Sequence, residues 1–250
     1  MSAKPKVVAI IQARMGSTRL PEKVMRQVAG LPMIHHVVER CRRIEGVDQV
    51  VMATSSRPRE RPLVDYVEAM AGVDVFRGPE ADVLARFYGA ASQFEAQVVM
   101  RITGDCPLLS PRVSSEVLQT YLERRERCDY VTNTLERTYP RGLDTSVMSF
   151  EALHRAHEEA VFVEEREHVT PYIWSNPSRF EVVGHRDPQD HHHHRWTVDT
   201  SQDLRLVRRI YSALYPNNPQ FEYEDVLALI AANPHWSRLN GDVEQKSIWR

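Results

Sequence analysis

The sequence has no large excess of charge of either sign and no long apolar run. Each of these absences argues against one class of binding partner. Its 32 lysines and arginines nearly balance 34 aspartates and glutamates, for a formal net charge of −2. Binding to a nucleic-acid backbone normally needs a basic excess over a whole face, so we expect no nucleic-acid partner. A membrane-spanning helix needs about 18 or more consecutive apolar residues. None occur in the sequence, and we therefore expect no membrane partner.

Cysteine is scarce as well. The three cysteines, Cys41, Cys106 and Cys128, show no CxxC spacing of the kind found in metal sites, which favours reduced and buried thiols. No signal-peptide pattern precedes the first apolar run at Val7, so we expect a soluble, cytoplasmic protein.

Short apolar runs alternate with amphipathic helical patterns through the first half of the chain. The four runs are VVAII from Val7, VDQVVMATSS from Val47, VDVFRG from Val73 and VVMRITGDCP from Val98. This repetition predicts a mostly parallel sheet covered by helices on both faces, a three-layer α/β/α fold of Rossmann-like type. Ligands of such sheets bind beyond the carboxyl ends of the strands, so we expect the polar ends of the four runs to share one rim.

The pattern changes after Asp129. The segments DYVTNT and GLDTSVMSF are typical of strands, and helical patterns begin near Phe150 and Glu167. The segment RWTVDT, residues 195–200, is interpreted as a further strand that leads into a helix. A tract of four histidines at residues 191–194 lies in a polar loop, and we assign it no role.

The loop after the first run concentrates cationic and polar groups. It reads ARMGSTRLPEK and carries Arg14, Arg19 and Lys23 around a single glycine, Gly16. It matches neither of the glycine-rich phosphate motifs, GxxxxGK[ST] and GxGxxG. Backbone N–H groups, hydroxyls and cations are the groups that hold a polyphosphate. Charged surface loops are common, however, so composition alone leaves a solvated loop about equally open.

The segment AIIQARMGSTRLPEKVMRQVAGLPMIHHVVERC closely resembles the opening of the bacterial cytidylyltransferases that activate acidic sugars. These include the 3-deoxy-manno-octulosonate and N-acylneuraminate enzymes, and the resemblance is strongest to the spore coat polysaccharide biosynthesis protein F type. In that family this loop wraps the phosphates and ribose of CTP. The resemblance therefore implies nucleotide contacts at Ala13, Arg14, Gly16, Ser17, Thr18, Arg19 and Lys23.

Two aspartates follow strand-like segments that are far apart in the chain. From the residues alone, Asp105 in TGDCP suits a Mg²⁺ ligand, whereas Asp199 in WTVDT is better explained as a helix cap. The resembling enzymes carry a Gly-Asp-x-Pro segment and a later Asp-Thr-x-x-Asp-Leu segment, and the first aspartate of each holds the metal. Both segments match here. The resemblance thus implies Mg²⁺ bound by Asp105 and Asp199, with Arg14, Lys23 and Asp105 as catalytic groups.

The resemblance and the positions of polar residues near the ends of the other strands imply further nucleotide contacts. For two of them, Asp82 and Arg86, a helix cap and a solvated helix residue are equally good explanations from the sequence. The implied residues are Thr54, Ser55, Asp82, Arg86, Arg101 and Gly104.

The second half of the chain resembles the acceptor-binding half of the spore coat type. Similar sequences read Gly-Leu-Asp-x-Glu-Val, and this chain keeps Asp144 but has Ser146 in place of the glutamate and Arg141 before the glycine. These departures leave the identity of the acceptor open. Arg166 and His168 suit an acidic or phosphorylated acceptor, although an exposed helix start explains them about as well. Together with Asp144 they are the candidate acceptor contacts.

These patterns predict one nucleotidyltransferase domain of the nucleotide-diphospho-sugar transferase type. We expect a nucleotide-binding half at about residues 1–128 and an acceptor-binding insertion at about 129–194. The insertion is expected to form a small β-hairpin and helical lobe for the acceptor or for dimerisation. A return to the core follows at about 195–232, and a loose tail at 233–250. Dimerisation is common among the resembling enzymes, and the sequence itself does not predict it.

The implied reaction transfers CMP from CTP to a sugar acid or similar acceptor and releases pyrophosphate. Its place would be in the synthesis of precursors for surface polysaccharides or glycoconjugates. Two alternatives stay open. A glycosyltransferase that uses a nucleotide-sugar is disfavoured because the sequence has no Asp-x-Asp motif. A catalytically silent nucleotide-binding protein is disfavoured by the matches at Lys23, Asp105 and Asp199.

Overall fold

Seven strands form one central sheet in the structure, a computed structural model that describes residues 4–246. The strands, in chain order and with a separate hairpin of β2 and β3, are β1 (Val7–Gln12), β2 (Gln27–Val28), β3 (Leu31–Pro32), β4 (Gln49–Ser55), β5 (Asp74–Gly78), β6 (Val98–Thr103), β7 (Tyr130–Thr132), β8 (Ser146–Ser149) and β9 (Val182–Gly184). The spatial order of the main sheet is β5-β4-β1-β6-β8-β7-β9. Every pairing in the main sheet is parallel except the two that β8 makes.

Helices cover both faces of this sheet. They are α1 (Met33–Arg42), α2 (Arg61–Glu68), α3 (Val83–Gln93), α4 (Pro111–Arg124), α5 (Phe150–Glu159), α6 (Val163–His168), α7 (Pro171–Trp174), α8 (Ser201–Leu214) and α9 (Tyr223–Ala232). Alternate residues of β1 point to opposite faces, as the period of a strand requires. Val7 and Ile11 join the core formed with α1, α4 and α8, whereas Val8 and Ile10 join the core formed with α3 and α5. The predicted three-layer, mostly parallel fold is therefore confirmed.

Two general expectations from the sequence can be compared with this fold. The three cysteines are free and buried, as predicted. None of the helices within residues 4–246 is long and apolar enough to cross a membrane.

Three details differ from the sequence-based expectations. The strands of the expected small lobe, β7, β8 and β9, extend the main sheet instead. The predicted strand at residues 195–200 is wrong, because this segment makes one isolated bridge, between Arg141 and Arg195, and no other strand pairing within the described residues. The expected loose tail begins with a 3₁₀ helix (Pro234–Leu239) and the buried Asn240, which pack against α8. The remaining tail residues, 247–250, lie outside the described residues.

Gly142 lets two loops approach more closely than a side chain would allow. Its φ is +115°, and a Cβ atom there would lie 2.6 Å from Thr197 N and 2.7 Å from Trp196 C. The neighbouring Arg141 carbonyl accepts hydrogen bonds from the N–H groups of Trp196 and Thr197, at 2.7 and 3.0 Å. The glycine therefore makes possible the contact that replaces the predicted strand.

Gly142→Ala is expected to lower the free energy of unfolding by at least about 2 kcal/mol, because it combines an unfavourable φ with a clash against rigid backbone. Gly184→Ala is the matched control, since its Cβ would meet only Leu135 at an ordinary 3.9 Å. Urea unfolding of both variants measures the difference. Equal stability of the two variants would contradict this account of the loop contact.

Candidate active site

A cavity of about 1110 Å³ opens at the carboxyl ends of β1 and β6. This is the edge of a parallel sheet where ligands are expected. Thirteen of the residues named from the sequence line it: Ala13, Arg14, Gly16, Ser17, Thr18, Arg19, Lys23, Arg101, Gly104, Asp105, Asp144, His168 and Asp199. The tertiary structure thus brings the basic loop, residues 13–23, to the same cavity as both predicted metal ligands.

The start of the basic loop is held against the end of β6. Gly104 N donates a hydrogen bond to Gln12 O at 2.8 Å, and Ala13 N donates to Ala53 O at 3.3 Å. A Cβ atom on Gly104 would lie 2.9 Å from the Cβ atom of Ala13. Glycine is therefore required at 104 for the two strand ends to meet at the cavity.

A buried carboxylate that the sequence analysis missed anchors the basic loop from behind. Glu60 is fully buried, and its Oε2 accepts hydrogen bonds from Met15 N at 2.8 Å and from Thr54 Oγ1 at 3.1 Å. Its Oε1 accepts one from Ser55 Oγ at 3.1 Å. Thr54 and Ser55 consequently face Glu60 and are not in the cavity wall. Their hydroxyls act on the loop through this carboxylate.

Glu60→Gln is expected to weaken equilibrium binding of CTP about tenfold, because an amide has one acceptor oxygen where the carboxylate has two, and a buried donor is left unpaired. Isothermal titration of the wild type and the variant measures the change. The matched control is Glu39→Gln, at a half-exposed glutamate that pairs with Arg42 and should leave CTP affinity unchanged. Unaltered CTP affinity in Glu60→Gln would show that the loop does not need this anchor.

Two carboxylates from distant parts of the chain meet at Lys23, the last residue of the basic loop. Lys23 Nζ lies 2.7 Å from Asp105 Oδ2 and 2.8 Å from Asp199 Oδ1. Burial lowers the pKa of Lys23, but the two carboxylates outweigh this and hold its pKa above the ordinary value. Burial likewise raises the pKa of each aspartate, and the ammonium outweighs it, so the pKa of both carboxyls lies below the usual range. All three groups are therefore charged at neutral pH.

Two arginines complete the ion pairs around Asp199. Its Oδ2 lies 2.9 Å from Arg19 Nη2 and 2.8 Å from Arg195 Nη2. Arg195 also pairs with Asp203, at 3.0 Å between Nε and Oδ1. Asp203 is fully buried and closes the capping box of α8 with Thr200. The helix start and the arginine thus hold Asp199 at the cavity.

Two carboxylates that converge on one cation suit a divalent metal. Mg²⁺ prefers hard oxygen ligands and is usually held by one or two carboxylates together with phosphate oxygens and water. Across residues 4–246, no group of three His, Cys, Asp or Glu side chains is placed to hold a metal. Oxygens of a substrate and water would therefore have to complete the ligand set. Asp105 and Asp199 fit such a metal, provided that Lys23 leaves its position between them.

Three other candidates from the sequence do not line the cavity: Asp82, Arg86 and Arg166. Asp82 caps α3, accepting from Ala85 N at 2.9 Å, and its Oδ2 pairs with Arg166 at 2.7 Å. Arg86 is fully buried and donates to Pro79 O at 2.6 Å. The structure does not bring these side chains to the cavity, because each is already used to join α3 to its neighbours. Their proposed ligand contacts stay predictions.

Known proteins resemble this chain in sequence and in fold. A family model described as Cytidylyltransferase matches residues 8–232. The chain is 33% identical over 244 residues to the uncharacterized protein MJ1063 of Methanocaldococcus jannaschii, covering 97% of each protein. It is 29% identical over 238 residues to the spore coat polysaccharide biosynthesis protein SpsF of Bacillus subtilis, covering 91% of this chain and 95% of that one.

Two solved structures share the fold. A cytidylyltransferase from Leptospira borgpetersenii superposes with a TM-score of 0.89 at 28% identity, covering 97% of this chain and 100% of that chain. CMP:2-keto-3-deoxy-manno-octonic acid synthetase complexed with CTP gives a TM-score of 0.64 at 21% identity, covering 83% and 99%. The second likeness concerns the fold alone.

Proposed function

The chain belongs to the cytidylyltransferase family, and from that premise we propose that it transfers CMP from CTP to an acidic sugar or similar acceptor with Mg²⁺. Pyrophosphate is the second product. We further propose that the CMP conjugate serves the synthesis of surface polysaccharides, a suggestion supported by the name of the SpsF relative. The observation that carries the proposal is that Lys23 of the basic loop pairs with both Asp105 and Asp199 in the cavity.

The proposed reaction is an in-line displacement at the α-phosphorus. An acceptor oxygen forms the new bond, the bond from the α-phosphorus to the bridging oxygen of the β-phosphate breaks, and the acceptor proton passes to solvent. Such a step needs positioning and charge neutralisation more than covalent help from the protein. Arg14, Arg19 and Lys23 line the cavity and would neutralise the phosphate oxygens. Asp105 and Asp199 would hold Mg²⁺, whose contribution is to neutralise phosphate charge further.

The ammonium of Lys23 can pair either with the two carboxylates or with the phosphates of a bound nucleotide. In the structure the ammonium pairs with Asp105 and Asp199. A triphosphate in the basic loop would offer the ammonium other anionic oxygens, and the carboxylates would then be available for a metal. Binding of the nucleotide and binding of the metal are therefore expected to favour each other.

A pyrophosphate-release screen tests the proposed function. Four nucleoside triphosphates are crossed with acidic sugars, amino sugars and phosphonates, each with Mg²⁺ and with EDTA. We expect release with CTP and an acidic acceptor only when Mg²⁺ is present. Binding of CTP without release from any acceptor would instead indicate a silent nucleotide-binding protein, and release of a nucleoside diphosphate from a nucleotide-sugar would indicate glycosyl transfer.

A further inference from the structure

We propose that the cavity contains a second anion site, formed by Arg101, Arg137 and Arg141 around Asp144, which binds a dianionic phosphoryl or phosphonyl group of the acceptor. This inference rests on the proposed function, because it concerns the acceptor of the same reaction. We call these four residues the arginine cluster. Of them, the sequence analysis had named Asp144 for the acceptor and Arg101 for the nucleotide.

Arg101 supplies the first observation. It lies on β6 and lines the cavity, and its Nε is buried with no hydrogen-bond partner. Within the described chain the rest of its guanidinium also makes no hydrogen bond or ion pair, although Asp144 and Asp105 act on it at longer range. Burial lowers its pKa. A guanidinium that is desolvated without a partner is costly, and a bound anion would remove that cost.

Arg137 shows the geometry that this wall of the cavity offers to an oxyanion. Its Nη1 and Nη2 lie 2.6 and 2.8 Å from the two oxygens of Asp144, a bidentate pair. Gly142 N also donates to Asp144, at 3.3 Å. This single carboxylate therefore neutralises one guanidinium of the arginine cluster and leaves two uncompensated.

Arg141 is the second uncompensated cation, and its backbone is fixed. Arg141 N donates to His194 O at 3.0 Å, and its carbonyl accepts from Trp196 N at 2.7 Å. Its side chain lines the cavity and forms no hydrogen bond or ion pair elsewhere in residues 4–246. Burial and the nearby charge of Arg137 lower its pKa. The protein thus holds the like charges of Arg137 and Arg141 close together, with Asp144 near both.

The balance of charge distinguishes the arginine cluster from the other ion pairs of the cavity. Around Asp199, three cations (Lys23, Arg19 and Arg195) face three carboxylates (Asp105, Asp199 and Asp203), so that set is neutral. In the arginine cluster three cations face one carboxylate, which leaves a charge of +2. Glu164 and Glu167 of α6 also line the cavity but form no ion pair with this cluster within the described residues.

A charge of +2 favours a dianion over a monoanion. A carboxylate would neutralise one of the two free guanidinium groups, whereas a phosphate or phosphonate would neutralise both and offers three oxygens to their N–H donors. The basic loop can still hold the triphosphate of CTP, since Arg14, Arg19 and Lys23 do not belong to the arginine cluster. The two sites can therefore be filled together.

The test measures binding of methylphosphonate and acetate at mildly alkaline pH, where methylphosphonate is a dianion. The protein is first saturated with an α,β-methylene analogue of CTP, which occupies the triphosphate site. Titration calorimetry then gives both affinities for the wild type, Arg101→Gln, Arg141→Gln and the control Arg61→Gln, whose side chain is 82% exposed and pairs with Asp65. We expect methylphosphonate to bind at least about tenfold more tightly than acetate, and each cluster variant to lose about tenfold in that affinity.

The outcomes separate this inference from the proposed function. Equal affinities for the two probes, unchanged methylphosphonate binding in both cluster variants, or loss of that binding on saturation with the analogue would each overturn the second site. An unchanged thermal unfolding curve of each cluster variant shows that it is folded, since Arg101 was also named as a nucleotide contact and its loss could alter binding of the CTP analogue. Failure of the analogue to bind the wild type, with cluster-dependent methylphosphonate binding intact, would overturn the proposed function but leave the anion site standing.

Discussion

Asp105→Asn is expected to lower the rate of pyrophosphate release about a hundredfold or more, because it removes one of the two carboxylates that would hold Mg²⁺ against the nucleotide phosphates in the proposed mechanism. Asparagine has the shape of aspartate and keeps one oxygen near Lys23. The Asp105 side chain is a quarter exposed to the cavity, so the substitution buries no new group. We therefore expect the fold and the melting temperature to change little.

The measurement is a coupled pyrophosphate assay with CTP and the acceptor found in the screen. Asp65→Asn is the matched control, because Asp65 is 59% exposed and pairs with Arg61 on α2. The control should turn over like the wild type. Turnover of Asp105→Asn at the wild-type rate would overturn the assignment of Asp105 to the reaction.

Lys23→Met is expected to lower the rate of pyrophosphate release by a similar factor, about a hundredfold, and to weaken CTP binding. It should also have an opposite effect on metal binding. In the wild type the ammonium lies between Asp105 and Asp199 and competes with any other cation for their oxygens. Without it, Mn²⁺ alone should bind more tightly, because the two ionised carboxylates lose the ammonium that they share and a metal can take its place.

Electron paramagnetic resonance of free Mn²⁺ measures metal binding without any turnover. Lys4→Met is the control, since Lys4 is 63% exposed and pairs with Asp48 away from the cavity. Weaker Mn²⁺ binding in Lys23→Met than in the wild type would contradict competition between lysine and metal. Normal CTP binding and turnover would remove Lys23 from the proposed mechanism.

The parts of the site that sequence patterns predicted share one property. Each depends on a strand end or on a motif of adjacent residues. Parallel strands present their carboxyl ends at one edge, so the strand pattern alone places the loop after β1 and Asp105 after β6 together. Asp199 was harder to predict, because the residues around it favoured a helix cap. The resemblance implied a metal ligand instead, and in the structure Asp199 Oδ1 lies 2.8 Å from Lys23 Nζ.

The parts that were missed depend on partners from distant segments. Glu60 follows β4 between two arginines, and its sequence context is typical of a solvated charge. It is nevertheless buried, and it accepts hydrogen bonds from Met15 N and from two hydroxyls of β4. Residues 195–200 have the composition of a strand. Gly142 lets the neighbouring loop approach so closely, however, that the Arg141 carbonyl accepts hydrogen bonds from the N–H groups of Trp196 and Thr197. No local pattern indicates such partners.

By itself the sequence determined the layered sheet, the edge at which a ligand binds and the chemical character of the basic loop, because strand period and turn residues act over short distances. Only the tertiary structure decided which charges compensate one another. Asp105 and Asp199 share Lys23, whereas Asp144 leaves two arginines unmatched. Coulomb energies depend on distance and burial, and both are set by how the distant segments pack together.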